Sequence, residues 1–200
     1  MLLAELHSSL AACRRCIDAG YCIRSQPIFS GHAGATFMTV GQAPGRQEAE
    51  VTYQPFSGPA GKRLFRWLAE AGIEEEWFRH TQAMTAITKC YPGPHPGGRG
   101  DRVPSQAEQA LCAPWLEQEL ALISPRVVIP IGGLAIRRFL GNDQPMTAFI
   151  GASYQRDQRI YVPLPHPSGA SQWFNDPANK VRLSHALNLL HALYINFIGA

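Results

Sequence analysis

Two short stretches of this chain carry residue types able to work on a small polar ligand. The first, Thr39-Val40-Gly41-Gln42-Ala43-Pro44-Gly45-Arg46-Gln47-Glu48, closes an apolar, strand-like run at 35–40 and then turns sharply through Gly and Pro. Such a turn leaves backbone N–H groups free to face a ligand. The second, His166-Pro167-Ser168-Gly169-Ala170-Ser171, follows another strand candidate at 159–164 and sets one imidazole at its end. In an open α/β sheet, ligands bind at the carboxyl ends of strands. Between the two lies Gln54-Pro55-Phe56-Ser57-Gly58-Pro59-Ala60-Gly61, where an aromatic ring stands among turn formers. An exposed ring is costly there, so Phe56 serves either as a stacking surface or as a plug beneath the loop.

The cysteines form a second constellation. Cys13 and Cys16 are a C-x₂-C pair, Cys90 follows a strand candidate, and 21 residues separate it from Cys112 inside a helix candidate. That gap is not the two-residue gap of a zinc-ribbon knuckle. Four thiolates from three elements suit an iron–sulfur cluster better than a small zinc site, with plain buried thiols as the remaining alternative. The fifth, Cys22, sits between Tyr21 and Ile23 and reads as a packing residue. Five cysteines are an odd number for a secreted disulfide framework.

These residues need a scaffold, and 200 residues with 46% hydrophobic and 16% charged side chains build one domain with a full core. No apolar run reaches membrane-spanning length and no basic-then-apolar leader is present, so an intracellular protein without a membrane is expected. The net charge of +3 is small, although Arg14 with Arg15, Lys62 with Arg63 and Arg66, Arg99 with Arg102, and Arg137 with Arg138 form clusters that permit phosphate contacts. Strand patterns at 35–40, 81–89, 126–131, 148–153 and 160–164 alternate with helical patterns at 2–13, 62–71, 105–123, 134–140 and 175–197. Ser105 and Glu108 form a capping box for the third helix. The alternation predicts a three-layer α/β/α sandwich around a mainly parallel sheet. The Pro/Gly-rich segment 91–104 cannot form a regular element.

Together these pieces resemble the iron–sulfur uracil-DNA glycosylases, the family 4 group of the uracil-DNA glycosylase superfamily. Cys13-x₂-Cys16, the Gly-x-Ala-Pro-Gly turn with Glu48, the segment 55–61, Thr88-Lys89-Cys90, the Cys112 helix, the strand at 127–132 and His166-Pro167-Ser168 occur in the family's order and cover nearly the whole chain. The resemblance implies a four-stranded, mainly parallel sheet and a monomer that acts on damaged duplex or single-stranded DNA in the cytoplasm. It also implies a [4Fe-4S] cluster on Cys13, Cys16, Cys90 and Cys112. Catalysis falls to His166, Gln42 and Glu48, and base binding to Ala43, Phe56 and Ala86. DNA contacts fall to Ser168, Trp173, Lys89, Arg99 and Arg102, with 169–173 as the loop that wedges into the stack.

An enzyme of this type flips the target base into a pocket, and His166 is placed to donate to the base oxygen as negative charge grows on it. Two positions depart from the family. Gln42 stands where it usually carries an acid, and a carboxamide orients water but does not take its proton. Ala86 stands where an asparagine usually reads the uracil edge, a loss worth about 1 to 3 kcal/mol of discrimination. A member that binds DNA without cleaving it, and an α/β enzyme acting on a small nucleotide or phosphoester, are the other readings.

Overall fold

The computed structural model describes residues 2–98, 100–168 and 172–199. Five strands make one sheet in the order β2-β1-β3-β5-β4: β1 Phe37–Gly41, β2 Ala83–Ala86, β3 Val127–Pro130, β4 Tyr154–Arg156 and β5 Arg159–Tyr161. Strands β2, β1, β3 and β5 run parallel, with Val40 level with both Thr85 and Pro130, and Val128 level with Tyr161. Every residue of β1, β2 and β3 is buried, Thr39 and Thr85 included, because a parallel strand is covered on both faces; β3 reads as a continuous apolar run for that reason.

The helices are α1 Leu3–Ala11, α2 Arg15–Asp18, α3 Pro59–Glu70, α4 Glu75–Thr81, α5 Gln106–Ile123, α6 Gly132–Leu140, α7 Met146–Phe149 and α8 Pro177–Ile198. On one face of the sheet, Phe37, Ile129 and Ile131 pack against Leu64 and Leu68 of α3, Phe78 of α4 and Leu187 of α8. On the other, Met38, Val40 and Val128 meet Leu116 of α5 and Ala135 and Ile136 of α6. The result is the three-layer sandwich, with α1 laid against α5 through Leu6, Leu10 and Trp115. No described helix is long and apolar enough to cross a membrane.

The capping box forms as expected: Ser105 N–H donates to Glu108 Oε2 at 2.7 Å, and Glu108 N–H to Ser105 Oγ at 3.2 Å. Two expectations need correcting. The parallel part has four strands, but the sheet has five, because antiparallel β4 is added at its edge. The strand expected at 148–153 is absent; Met146–Phe149 is helical and the strand starts at Tyr154. Asp157 and Gln158, at φ 48° and 62°, make the tight turn that sets Arg156 opposite Arg159. Positive φ at both central positions matches the twist of the flanking strands, so this turn fixes the register. Phe149 and Ile150 are buried in the second core instead.

Candidate active site and cysteine pocket

The parallel strands all end on one side, and β1, with β2 on one flank and β3 on the other, marks the point where strand order reverses. Beyond its carboxyl end lies a cavity of about 550 Å³ lined by Gln42, Ala43 and Glu48 from the Gly-Pro turn, Phe56 from the next loop, Ala86 from β2, and His166 and Ser168 after β5. Residues more than a hundred positions apart thus face one space. Ile131 and Leu164 bridge in parallel just past β3 and β5, which carries the chain to His166.

Phe56 is held from three sides. Its ring lies on Gly41, where a Cβ would stand 3.1 Å from Cζ. Its backbone is left-handed, at φ 51°, and a Cβ on Gly61 would meet its carbonyl oxygen at 1.8 Å. Only glycine permits α3 to start that close to the loop. From behind, Arg79 of α4 donates to the carbonyls of Pro55 and Phe56, each at 2.9 Å, while its guanidinium lies 4.3 Å from the Phe65 ring centre. The sequence reading missed this role because Arg79 lies on a short helix with little apolar pattern.

The orientation of His166 follows from its own turn. Ser168 N–H donates to Nδ1 at 3.2 Å, so Nδ1 is the acceptor and a neutral ring carries its proton on Nε2. Burial pulls its pKa below the ordinary imidazole value, with Asp101 pulling weakly the other way. The residue is exposed where the ring borders the cavity, but protein crowds its remaining sides; a Cβ on Gly132, itself at φ 80°, would stand 3.2 Å from His166 Cβ and Cδ2. His166 is therefore a neutral donor near pH 7.

Glu48 turns inward to its own loop. Its carboxylate accepts from Gly45 N–H and from Ser57 N–H, and the N–H groups of Gly58 and Phe56 also favour its ionised form. Burial outweighs these donors and raises its pKa. It thus joins the Gly-Pro turn to the Phe56 loop. Asp101, not singled out from the sequence, lines the same cavity.

Three of the expected DNA contacts take other roles. Lys89 is buried: its Nζ pairs with Glu119 Oε2 at 2.7 Å and donates to Thr85 Oγ1 at 2.6 Å and to the Ala86 carbonyl at 2.7 Å. A charge so enclosed does not reach a phosphate. Arg102 lines the cavity, but it grips Glu108 with both terminal nitrogens, at 2.7 and 2.8 Å, and donates to the Pro92 carbonyl, so it holds the 91–104 loop down. Trp173 is half-buried, packs on Phe174 and donates to Thr147 Oγ1 at 3.0 Å, an anchor rather than a wedge. Arg99 and residues 169–171 of the expected wedge loop lie outside the described residues. Ser168 remains at the cavity edge, its carbonyl accepting from Arg63 Nη1 at 3.3 Å.

Cys13, Cys16, Cys90 and Cys112 line a second, mostly apolar pocket between α1, α2, the β2 exit and α5. Cys22 is exposed and does not line it, so the packing role expected for it is not seen. Trp115 Nε1–H donates to Cys13 Sγ at 3.2 Å, and Lys89 N–H to Cys112 Sγ at 3.3 Å. Thr88 also lines this pocket, and its Oγ1 is buried without a hydrogen-bond partner among the described residues. Burial first, then Cys112, Glu108 and Cys13, push the Cys16 thiol up to about 11; burial raises Cys90 and Cys112 too. Thiolates here need a compensating cation. Among the described residues no three Cys, His, Asp or Glu close on a single ion. Four cysteines thus share one pocket, with N–H donors aimed at two of their sulfurs.

Known proteins place this geometry in a family. The model of the uracil DNA glycosylase superfamily matches residues 29–190. A type-4 uracil-DNA glycosylase of Sulfurisphaera tokodaii is 27% identical over 177 residues, covering 84% of this chain and 75% of its own length. Those of Pyrobaculum aerophilum and Archaeoglobus fulgidus are 29% and 32% identical over 70% and 66% of this chain. The matches span 65% and 61% of the lengths of these two relatives. With four-fifths of its length matched by the family model and its cavity at the sheet's switch point, this chain belongs to the uracil DNA glycosylase superfamily.

Proposed function

We propose that the protein is a monofunctional DNA glycosylase that flips uracil or a related altered base out of DNA and hydrolyses its N-glycosidic bond, the first step of base excision repair. The observation that carries this reading is the meeting of Phe56 and His166 in one cavity, with Nδ1 of His166 held by Ser168 so that Nε2 is left as the donor. A flipped base stacks on Phe56. As the C1′–N bond breaks, its electron pair moves onto the base, and His166 Nε2–H donates to the base oxygen where that charge collects. The N–H groups of the Gly-Pro turn and the Gln42 amide orient the base and a water, while Ser168 sits at the rim where the DNA backbone passes. DNA is the partner, and the protein works as a monomer in the cytoplasm.

The test is release of base from oligonucleotides carrying uracil, hypoxanthine, xanthine or a mismatch, scored as abasic sites. Release from the uracil strand by wild type, lost in His166→Ala, is the expected result. No release from any strand would overturn the reading.

Cys13, Cys16, Cys90 and Cys112 fit a [4Fe-4S] cluster: all four line one pocket, Thr88 offers an unpaired hydroxyl there, and the relatives are type-4 enzymes. When bound, the cluster supplies a cross-link between the N-terminal helices, the β2 exit and α5. Iron and sulfide in equal amounts, with a brown colour lost in Cys90→Ser, are expected; a colourless protein with stoichiometric zinc would defeat the assignment.

One observation favours a second reading. Ala86 offers the base no polar side chain, and its carbonyl already accepts from Lys89. A member that binds damaged or single-stranded DNA without cleaving it would show tight binding and no release in the same assay.

A further inference from the structure

We propose that Asp101, carried in by the 91–104 loop, is the catalytic carboxylate that accepts the proton of the attacking water. The inference rests on the glycosylase reading above and names a residue for it.

Hydrolysis needs a group that takes a proton as water bonds to C1′, and three polar side chains from two loops are candidates. The Gln42 carboxamide is not basic enough. Glu48 is occupied with the N–H groups that tie its own loop together. Asp101 is exposed and lines the same space as Phe56 and His166. It lies against the Gly-Pro turn: a Cβ on Gly45 would stand 3.3 Å from Asp101 Oδ2 and also 3.3 Å from Glu48 Oε2. The carboxylate brought by the 91–104 loop and the one belonging to the turn itself therefore meet at the same glycine.

The loop is fixed well enough to hold a side chain in place. His95 N–H donates to the Gly100 carbonyl and Arg102 N–H to the Gly93 carbonyl, both at 2.9 Å, with Pro94 and Asp101 bridged between them. Arg102 then clamps this small hairpin to Pro92 and to Glu108 at the start of α5. Val103, directly after Arg102, also lines the cavity. The groups facing Asp101 are Arg46, His166, the Tyr91 hydroxyl, which hydrogen-bonds to it, and the carboxylate of Glu48, so three cationic or donor groups and one buried acid surround it; a single hydroxyl donor leaves carboxylate lone pairs free for water.

In the step, water oxygen bonds to C1′, the C1′–N bond breaks with its electron pair going to the base, and the water proton passes to Asp101. The base anion is held by His166 Nε2–H, and Asp101 gives its proton back to solvent after the base leaves. No oxidant or other reactant is needed.

The experiment compares wild type, Asp101→Asn, Asp101→Ala and His166→Ala in the cluster-loaded protein, using single-turnover release from a uracil oligonucleotide with and without added formate, together with affinity for the same DNA. Asp101→Asn and Asp101→Ala should slow release about 100-fold or more and change DNA affinity less than twofold, and formate should restore part of the rate in Asp101→Ala. A rate within threefold of wild type overturns the proposal. So does a slower rate that formate leaves unchanged, since that marks a residue which only shapes the loop. If wild type itself releases no base, the glycosylase reading fails; if wild type is active and His166→Ala is not, only the role of Asp101 is at stake.

Discussion

Arg79 reaches from α4 to the carbonyl of Phe56, its Nη2 2.9 Å from the oxygen, and so holds from behind the ring that faces the cavity. The guanidinium fork matches two adjacent carbonyls, Pro55 and Phe56, in a way that a lysine does not. Arg79→Ala should cost about 1 to 3 kcal/mol of stability by leaving two partly buried carbonyls without their donor. Base release should fall further than DNA affinity, and Arg79→Lys should recover only part of it. Thermal unfolding and single-turnover release check both.

Gly61→Ala places a methyl on the Phe56 carbonyl, and the overlap at 1.8 Å involves backbone, so either the loop or the start of α3 must move. Overpacking of this kind costs about 1 to 3 kcal/mol. The variant should fold with a lowered Tm and lose base release, while Gly34→Ala, outside the cavity lining and at φ 79° with open space around it, should lower Tm through backbone strain and keep release.

The buried Lys89–Glu119 pair should respond asymmetrically. Lys89→Met leaves Glu119 charged, 1% exposed and accepting only from Thr85. Breaking such a pair costs about 3 to 5 kcal/mol, while replacing both partners with apolar residues costs much less. Denaturant unfolding of Lys89→Met, Glu119→Leu and the double variant measures this. The double variant should be more stable than Lys89→Met alone.

Arg102 holds the Glu108 carboxyl down to about 2, well below the usual carboxylate range. The folded state binds this proton less tightly than the unfolded chain, so the contribution is full above the unfolded value near 4.5 and is lost as pH falls toward 2. Wild type should therefore lose stability faster than Glu108→Gln over that interval, and the gap between their unfolding midpoints should narrow. Urea titrations at several pH values read it directly.

Much of this architecture is visible in the chain itself. The buried strand β3 announces itself because two-sided burial favours continuous apolar residues, while β1 and β2 carry one buried threonine each and are marked as much by the turns that follow them. The Ser105 and Glu108 box is equally legible, since both of its bonds are local. The cavity residues Gln42, Phe56 and His166 stand out because they sit in Gly- and Pro-containing turns of an open α/β chain, which binds ligands beyond its strand ends, and because together they follow the order of a known family. Lys89 and Arg102 mislead for one reason: a basic residue looks the same whether it faces a phosphate or a carboxylate 30 or 6 positions away. Arg79 and Asp101 escape notice because their partners are backbone and loop atoms that only the fold brings near.

The hairpin turn at Asp157 and Gln158 lies at the amino end of β5, opposite the end that leads to His166. Both turn residues are exposed, and the strands they join form the rim of the sheet. A fluorophore, an affinity tag or a whole fused module grafted there would project from the far pole of the molecule, leaving the mouth open for a DNA duplex to dock. That makes this corner the natural handle for tethering the protein to a surface or a reporter.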